Sequence, residues 1–217
     1  MLNEIEAIMN EIIDFFIDPY KTATTLNISL EIIAVLTGVL SVWYAKKESI
    51  LVYPTGIIST AIYVYICYHF TLYGDLIINI YYTLMSIYGW YMWTRLVNSK
   101  HIEITRTTNT DQVKTLGIFL FTAAFVIVVY LYFNRFDRIT DYFDTFTTGI
   151  FFAAMWLMAN KKIEHWTLWI IGNIISIPLY FIKGLGFSGI QFTIFLILAY
   201  LGYKSWKKTL DKKKSTS

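Results

Sequence analysis

The chain has 217 residues, 56% of them hydrophobic and only 15% charged, with a formal net charge of +3 and a mean hydropathy of +0.52. Ordinary soluble domains hold roughly 45–50% apolar and about 25% charged residues, so this balance excludes a soluble enzyme and a disordered chain. The basic residues sit between apolar runs and form no face of their own, so they bear on membrane orientation and speak against nucleic acid as a partner.

At the start, Leu2, Ile5, Ile8, Met9, Ile12, Ile13 and Phe16 recur at helical spacing against Glu4, Glu6, Glu11 and Asp14. This predicts an amphipathic helix lying on the membrane or against the bundle. The segment is acidic where a secretory leader is basic, so no signal peptide is expected. A bilayer core of about 30 Å takes about 20 apolar residues per helix, with roughly 17 sufficient. Stretches 28–45, 50–70, 76–94, 116–133, 143–159, 166–182 and 187–203 meet that length, and none alternates as a barrel strand does. The expected fold is therefore an all-α integral membrane protein of seven transmembrane helices. Its parts are an amphipathic lead-in at 1–26, three spans within 27–96, a polar loop and one span within 97–133, three spans within 134–206, and a tail at 207–217. The basic end is expected to fray from Lys204 onward.

With the N-terminus outside, the outer segments hold Lys21, Arg135, Arg138 and Lys183, and the other fourteen of the 18 Lys and Arg fall inside. That asymmetry predicts a cytoplasmic C-terminus. The spans also repeat. Trp43-Tyr44-Ala45-Lys46-Lys47 ends span one, and Trp156-Leu157-Met158-Ala159-Asn160-Lys161-Lys162 ends span five. Gly56-Ile57-Ile58-Ser59 followed by Tyr63 resembles Asn173-Ile174-Ile175-Ser176 followed by Tyr180, and Gly89 with Trp93 resembles Gly202 with Trp206. Spans one to three thus correspond to spans five to seven. Span four is a linker whose crossing returns the chain to its starting side, so the repeats are parallel in a 3+1+3 plan, with a substrate site expected near the midplane between the halves.

Trp166, Trp169 and Asn173 share one face of span six. The two indoles alone fit an interfacial belt equally well, but an amide seven residues into a span needs a partner. Asn79 and Tyr82 are three apart in span three, where Asn79 could also tie two helices together. Aromatic faces with amide and phenol groups suit a flat ring, neutral or cationic, that carries hydroxyls. No Lys or Arg lies deep in a span, so a phosphorylated substrate would lack countercharges. Glu31, Asp75 and Asp144 fall near the outer span ends, where solvated caps are the simpler reading than a proton relay. No phosphate-binding loop motif is present, so passive, uncoupled movement is expected, without a cofactor. The single Cys67 cannot form an internal disulfide, and His69, His101 and His165 are too scattered for a metal site. An intramembrane enzyme would need a nucleophile, base or metal cluster at depth, and a receptor would need more than a tail of about a dozen residues.

Glu164-His165-Trp166-Thr167-Leu168-Trp169-Ile170-Ile171-Gly172-Asn173-Ile174-Ile175-Ser176 resembles the E-x-W-x-x-W-x-x-x-N-x-x-S signature of the nicotinamide riboside transporter (PnuC-like) family. Tyr73-Gly74-Asp75, Tyr88-Gly89-Trp90-Tyr91-Met92-Trp93 and Asp144-Thr145 are similar to that family's Y-G-D, Y-G-W-x-x-W and D-[ST] elements. The similarity spans about residues 28 to 208. It implies a facilitated-diffusion vitamin transporter of the cell (inner) membrane, related in architecture to the SWEET sugar transporters. It further implies a homotrimer, and a cytoplasmic kinase that traps the incoming riboside. By position, Trp166, Trp169 and Asn173 would hold the substrate from span six and Asn79 with Tyr82 from span three, and Ser176, Tyr180 and Asp144 complete the implied substrate-binding set. Many members carry Gln where this chain has Asn79, and relatives carry thiamine, riboflavin or deoxynucleosides, so thiamine stands as the alternative cargo.

Overall fold

The computed structural model describes residues 9, 10, 13, 14, 16, 21, 24–70, 73–97, 100–133, 136, 138–183 and 186–216. Most of the expected amphipathic helix at 1–18 therefore lies outside the described residues. Among the described residues seven long helices follow: α1 (Thr25–Lys46), α2 (Val52–His69), α3 (Tyr73–Thr94), α4 (Asn109–Tyr132), α5 (Ile139–Ala159), α6 (Glu164–Ile182) and α7 (Gly186–Thr216). Two two-residue strands, β1 (Leu96–Val97) and β2 (Lys100–His101), pair antiparallel between α3 and α4.

Four of the helices, α1, α4, α6 and α7, are long and apolar enough to cross a membrane by length and composition. The other three carry Tyr, Ser, Thr and Asn along most turns, such as Ser59 and Thr60 in α2 and Asn79, Tyr82 and Ser86 in α3. Those groups depress hydropathy, yet several of them face the bundle interior, where neighbouring carbonyls satisfy them. The Ser59 hydroxyl donates to Ala34 O at 2.7 Å, for example.

Two boundaries differ from expectation. α4 begins at Asn109, about two turns before its apolar run, because Thr108 and Asp111 form a capping box that satisfies the first free N–H groups. The Thr108 N–H, and after it Lys162 Nζ at 2.9 Å, hold the Asp111 carboxyl down to about 2. The basic tail does not fray at Lys204: α7 continues to Thr216. Its extension is held because Tyr203, Trp206 and Leu210 lie on one face and pack into the central cluster, and Lys213 reaches Glu103 at 2.7 Å.

α1 packs on α2 and α2 on α3, α5 packs on α6 and α6 on α7, and the two sets meet where α1 touches α7 and α3 touches α5. α4 packs on α5. The contacts between the sets are reciprocal. Trp93 Nε1 donates to Met158 O at 3.2 Å, and Trp206 Nε1 donates to Ala45 O at 3.0 Å. Each residue stands 113 positions from its counterpart, Trp93 to Trp206 and Ala45 to Met158. The same separation relates two tight helix crossings. A Cβ on Gly89 would stand 2.3 Å from Tyr53 Cε1, and one on Gly202 2.5 Å from Trp166 Cζ2. This register places Thr60 opposite Asn173, so the alignment of Gly56–Ser59 with Asn173–Ser176 read from sequence is one helical turn out.

The two indole bonds are buried, so each Trp→Phe change should lower thermal stability in detergent by about 0.5–1.5 kcal/mol. Equal unfolding temperatures for wild type, Trp93→Phe and Trp206→Phe would remove these bonds from the account of the seam.

Candidate functional site

The two helix sets enclose a cavity of about 200 Å³ lined from α1, α2, α3, α5, α6 and α7. Small side chains open it on one side, Gly38 and Ser41 from α1 and Gly56 and Ser59 from α2. Ser41 donates to Val52 O and Ser59 to Ala34 O, both at 2.7 Å, so these hydroxyls serve neighbouring helices. The opposite side is aromatic and amide-bearing, with Tyr82 and Asn79 from α3 and Trp166, Trp169 and Asn173 from α6.

Asn173 is the ninth residue after Glu164 in a 19-residue helix, about 14 Å along it at 1.5 Å per residue, the middle of a span of this length. It is 1% exposed, and neither its Nδ2 nor its Oδ1 has a hydrogen-bond partner. Leaving a buried amide unmatched costs roughly 1–3 kcal/mol per group, and this one offers the cavity a donor and an acceptor that no other side chain or carbonyl uses. Trp166 is also buried at 1% exposure, wedged against Gly202 and edge-on to Trp206 with ring centroids 5.8 Å apart. It is not a lipid-facing belt residue, and its Nε1 is likewise unpartnered. Trp169 stacks on Phe151 at 5.0 Å with an interplanar angle of 25°. Asn79 Nδ2 donates to Asp75 O of its own helix at 2.9 Å.

The structure thus brings Asn79, Tyr82, Trp166, Trp169 and Asn173 around one cavity and leaves three sequence candidates outside its lining. Ser176 is buried one turn beyond Asn173 with an unpartnered Oγ. Tyr180 stacks on Phe192 at 4.7 Å. Asp144 forms an ion pair with Lys183 at the far end of α6. Tyr63, Gln191 and Phe195 line the cavity and were missed. Gln191 was findable, being an amide just inside a span like Asn173. Tyr63 and Phe195 carry no signal that separates them from the chain's many other rings. Among the described residues no His, Cys, Asp and Glu group could hold a metal.

A bundle of apolar helices around an aromatic cavity with an unpartnered amide at mid-depth is a construction that suits a membrane transporter for a small organic solute. The family described as nicotinamide mononucleotide transporter matches residues 28–208, and the chain belongs to it. The nicotinamide riboside transporter PnuC of Neisseria mucosa is 28% identical over 197 residues, covering 83% of this chain and 72% of that protein. PnuC of Escherichia coli is 23% identical over 202 residues, covering 82% and 84%. The riboflavin/roseoflavin transporter RibM of Streptomyces davaonensis is 25% identical over 130 residues, covering 56% and 58%. A crystal structure of the vitamin B3 transporter PnuC shares the fold, with a TM-score of 0.65 at 24% identity over 84% of this chain and 82% of that one.

Phe151 gives a direct handle on the aromatic wall. A Cβ on Gly172 would stand 2.1 Å from Phe151 Cε1, so Gly172→Ala should displace that ring from Trp169. Overpacking of this kind costs typically about 1–3 kcal/mol, read as a lower unfolding temperature, and Phe151→Leu in the same chain should restore most of it. An unchanged temperature for Gly172→Ala would mean the wall is not packed as described.

Proposed function

We propose that the protein is a facilitator that moves unphosphorylated nicotinamide riboside down its gradient across the inner membrane. The observation that carries this reading is Asn173, whose amide is unpartnered on both sides in the same cavity as Trp166 and Trp169. A pyridinium ring is a flat cation that stacks on indoles, while its carboxamide or the ribose hydroxyls supply donors and acceptors for an amide. Among the described residues no Lys or Arg lines the cavity, so a phosphate group would meet no countercharge. The names of the Neisseria mucosa and Escherichia coli relatives support the same cargo. Thiamine is the competing cargo, since its thiazolium is also a flat cation and Asn79 offers a shorter reach than the Gln common at that position.

The reading includes a seven-span, 3+1+3 plan related to the SWEET transporters, in which 27–96 and 134–206 are parallel repeats and 97–133 supplies the linker. It is supported by the exchange of indole bonds between Trp93, Met158, Trp206 and Ala45 at one constant separation. The N-terminus is assigned outside and the C-terminus to the cytoplasm on the Lys and Arg count. Assembly as a homotrimer and trapping by a cytoplasmic kinase follow from the family resemblance. Asn79, Tyr82, Trp166, Trp169 and Asn173 are proposed to touch the substrate, with Ser176, Tyr180 and Asp144 supporting the site from behind or beyond it.

Uptake of labelled nicotinamide riboside into proteoliposomes without ATP or an ion gradient should proceed to equal concentrations. Accumulation against its gradient would overturn the passive mechanism, and faster uptake of thiamine would overturn the cargo. For the site, Asn173→Leu should weaken binding by about 1–3 kcal/mol. Trp169→Ala should cost more than Trp169→Phe, on the order of 0.5–2 kcal/mol per aromatic contact. If affinity is intact and only expression falls, the pocket assignment is wrong. Topology is checked separately: a cysteine placed at Ser215 should resist an impermeant reagent added outside intact cells, and its labelling there would reverse the orientation.

A further inference from the structure

A second hollow, of about 540 Å³, opens between α4 and the seam of α3 with α5. Phe121 and Phe125 of α4, Tyr81 of α3, and Phe152 and Trp156 of α5 wall it, and Lys114 stands at one end. Along α4 the distance from Lys114 to Phe125 is about 17 Å at 1.5 Å per residue. That is close to half of a bilayer core of about 30 Å, the depth of one leaflet. Phe121 is 75% exposed, and a Cβ on Gly117 would meet nothing within 4 Å, so the hollow is open toward the lipid.

The charges around Lys114 point to an anion at its mouth. Asp111 one turn away is taken by Lys162, Glu164 by Arg106, and Glu103 by Lys213. Lys114 is exposed and has no carboxylate partner among the described residues. A cation on a flexible stem at the rim of an apolar, leaflet-deep groove matches a phosphate headgroup above an acyl chain. We propose that this groove binds one anionic phospholipid, its headgroup at Lys114 and one chain along Phe121 and Phe125.

The groove also adjoins the transport cavity. Tyr81 and Phe152 on its wall stack at 3.6 Å and are joined by the Tyr81 hydroxyl donating to Phe152 O at 3.0 Å. The next residue on α3, Tyr82, lines the cavity, and the preceding residue on α5, Phe151, stacks on Trp169. A lipid in the groove therefore bears on the same two-residue partition that shapes the substrate wall. Assignment to the inner leaflet rests on the proposed topology, whereas the binding itself does not, and the test below is independent of orientation.

The experiment mixes the purified, delipidated full chain in mild detergent with phosphatidylglycerol or phosphatidylcholine and counts retained lipid by native mass spectrometry. Wild type should retain phosphatidylglycerol about fivefold better, the scale of one basic residue acting on an anionic headgroup. Lys114→Gln should bring the two lipids to parity, and Gly117→Trp, which fills open space, should lower retention of both. Equal retention by wild type overturns the proposal, as does a preference that survives both substitutions. If Gly117→Trp changes the mass measured by light scattering while lipid retention is unchanged, the groove is a contact between copies of the chain and the proposal also fails.

Discussion

The structure depends on how two helix ends are closed. α1 and α5 each finish in a turn whose left-handed residue is not glycine, Glu48 with φ 54° and Lys161 with φ 49°. In both turns the same pair of bonds forms: Glu48 N to Ala45 O and Ser49 N to Tyr44 O, then Lys161 N to Met158 O and Lys162 N to Leu157 O, at 2.9–3.1 Å. This is the double-bonded helix ending that glycine ordinarily serves, and a side chain in that conformation costs about 1–3 kcal/mol. The two strained residues face each other, Lys161 Nζ lying 3.6 Å from Glu48 Oε2 and 4.4 Å from the Trp93 ring centroid. Lys161 is buried, and burial pulls its ammonium below the usual lysine range while Glu48 pushes it back. The carbonyls of Ala45 and Met158 keep one lone pair each for an indole from the other helix set, which accounts for the reciprocal tryptophan bonds. Strain, charge and the indole donors thus converge on one plane, where they tie the two sets together and close the cavity at that end.

Above that plane the fold needs only to keep the sets apart. Tyr53 and Trp166, the first large rings of α2 and α6, press into Gly89 of α3 and Gly202 of α7, so each set is pinned internally at the same depth. The wedge fixes how closely helices approach at the base, and small residues at the next turns of α1 and α2 leave room. The cavity is asymmetric because residues 113 positions apart differ in size there. Gly38 and Ser59 meet on one side, whereas Phe151 and Gly172 meet at the corresponding positions on the other. One half contributes space and the other contributes rings, and the amide of Asn173 looks into that space.

Much of the helical plan was legible because long apolar runs have few alternatives in a chain this poor in charge. What escaped was set by local chemistry weaker than hydropathy. The early start of α4 follows from the Thr108–Asp111 capping box, and the extension of α7 from Trp206 and Leu210 at one-turn spacing. The polar loop shows no apolar period in sequence, yet Thr105 bonds the α5–α6 turn on both sides, its N–H donating to Lys161 O and its carbonyl accepting from Ile163 N–H. That pairing carries Ile104 into the base at 2% exposure. Trp93 and Trp206 carry the 113-residue separation that the cross-set contacts keep, while the Ile-Ile-Ser match lies one turn off that separation.

At the site, spacing identified the face of α6 but not how far along it the cavity extends. Trp166, Trp169 and Asn173 share a strip, and Ser176 and Tyr180 continue close to it, so periodicity treats all five alike. Depth and neighbours separate them. Phe192 covers Tyr180, and Ser176 lies past the reach of the cavity. Asp144 belongs to a charged end that also holds Lys183, remote from the base closed by Glu48 and Lys161. From that charged end inward the cavity presents Asn79 and Gln191 first and the indoles of Trp169 and Trp166 after them, and the tryptophan plane closes it. The bonds from Trp93 to Met158 and from Trp206 to Ala45 both join the two sets at that plane, so the sets cannot separate there without losing both. The Lys161–Glu48 ion pair joins the same two sets, so charge and indole donors together hold this end of the cavity shut.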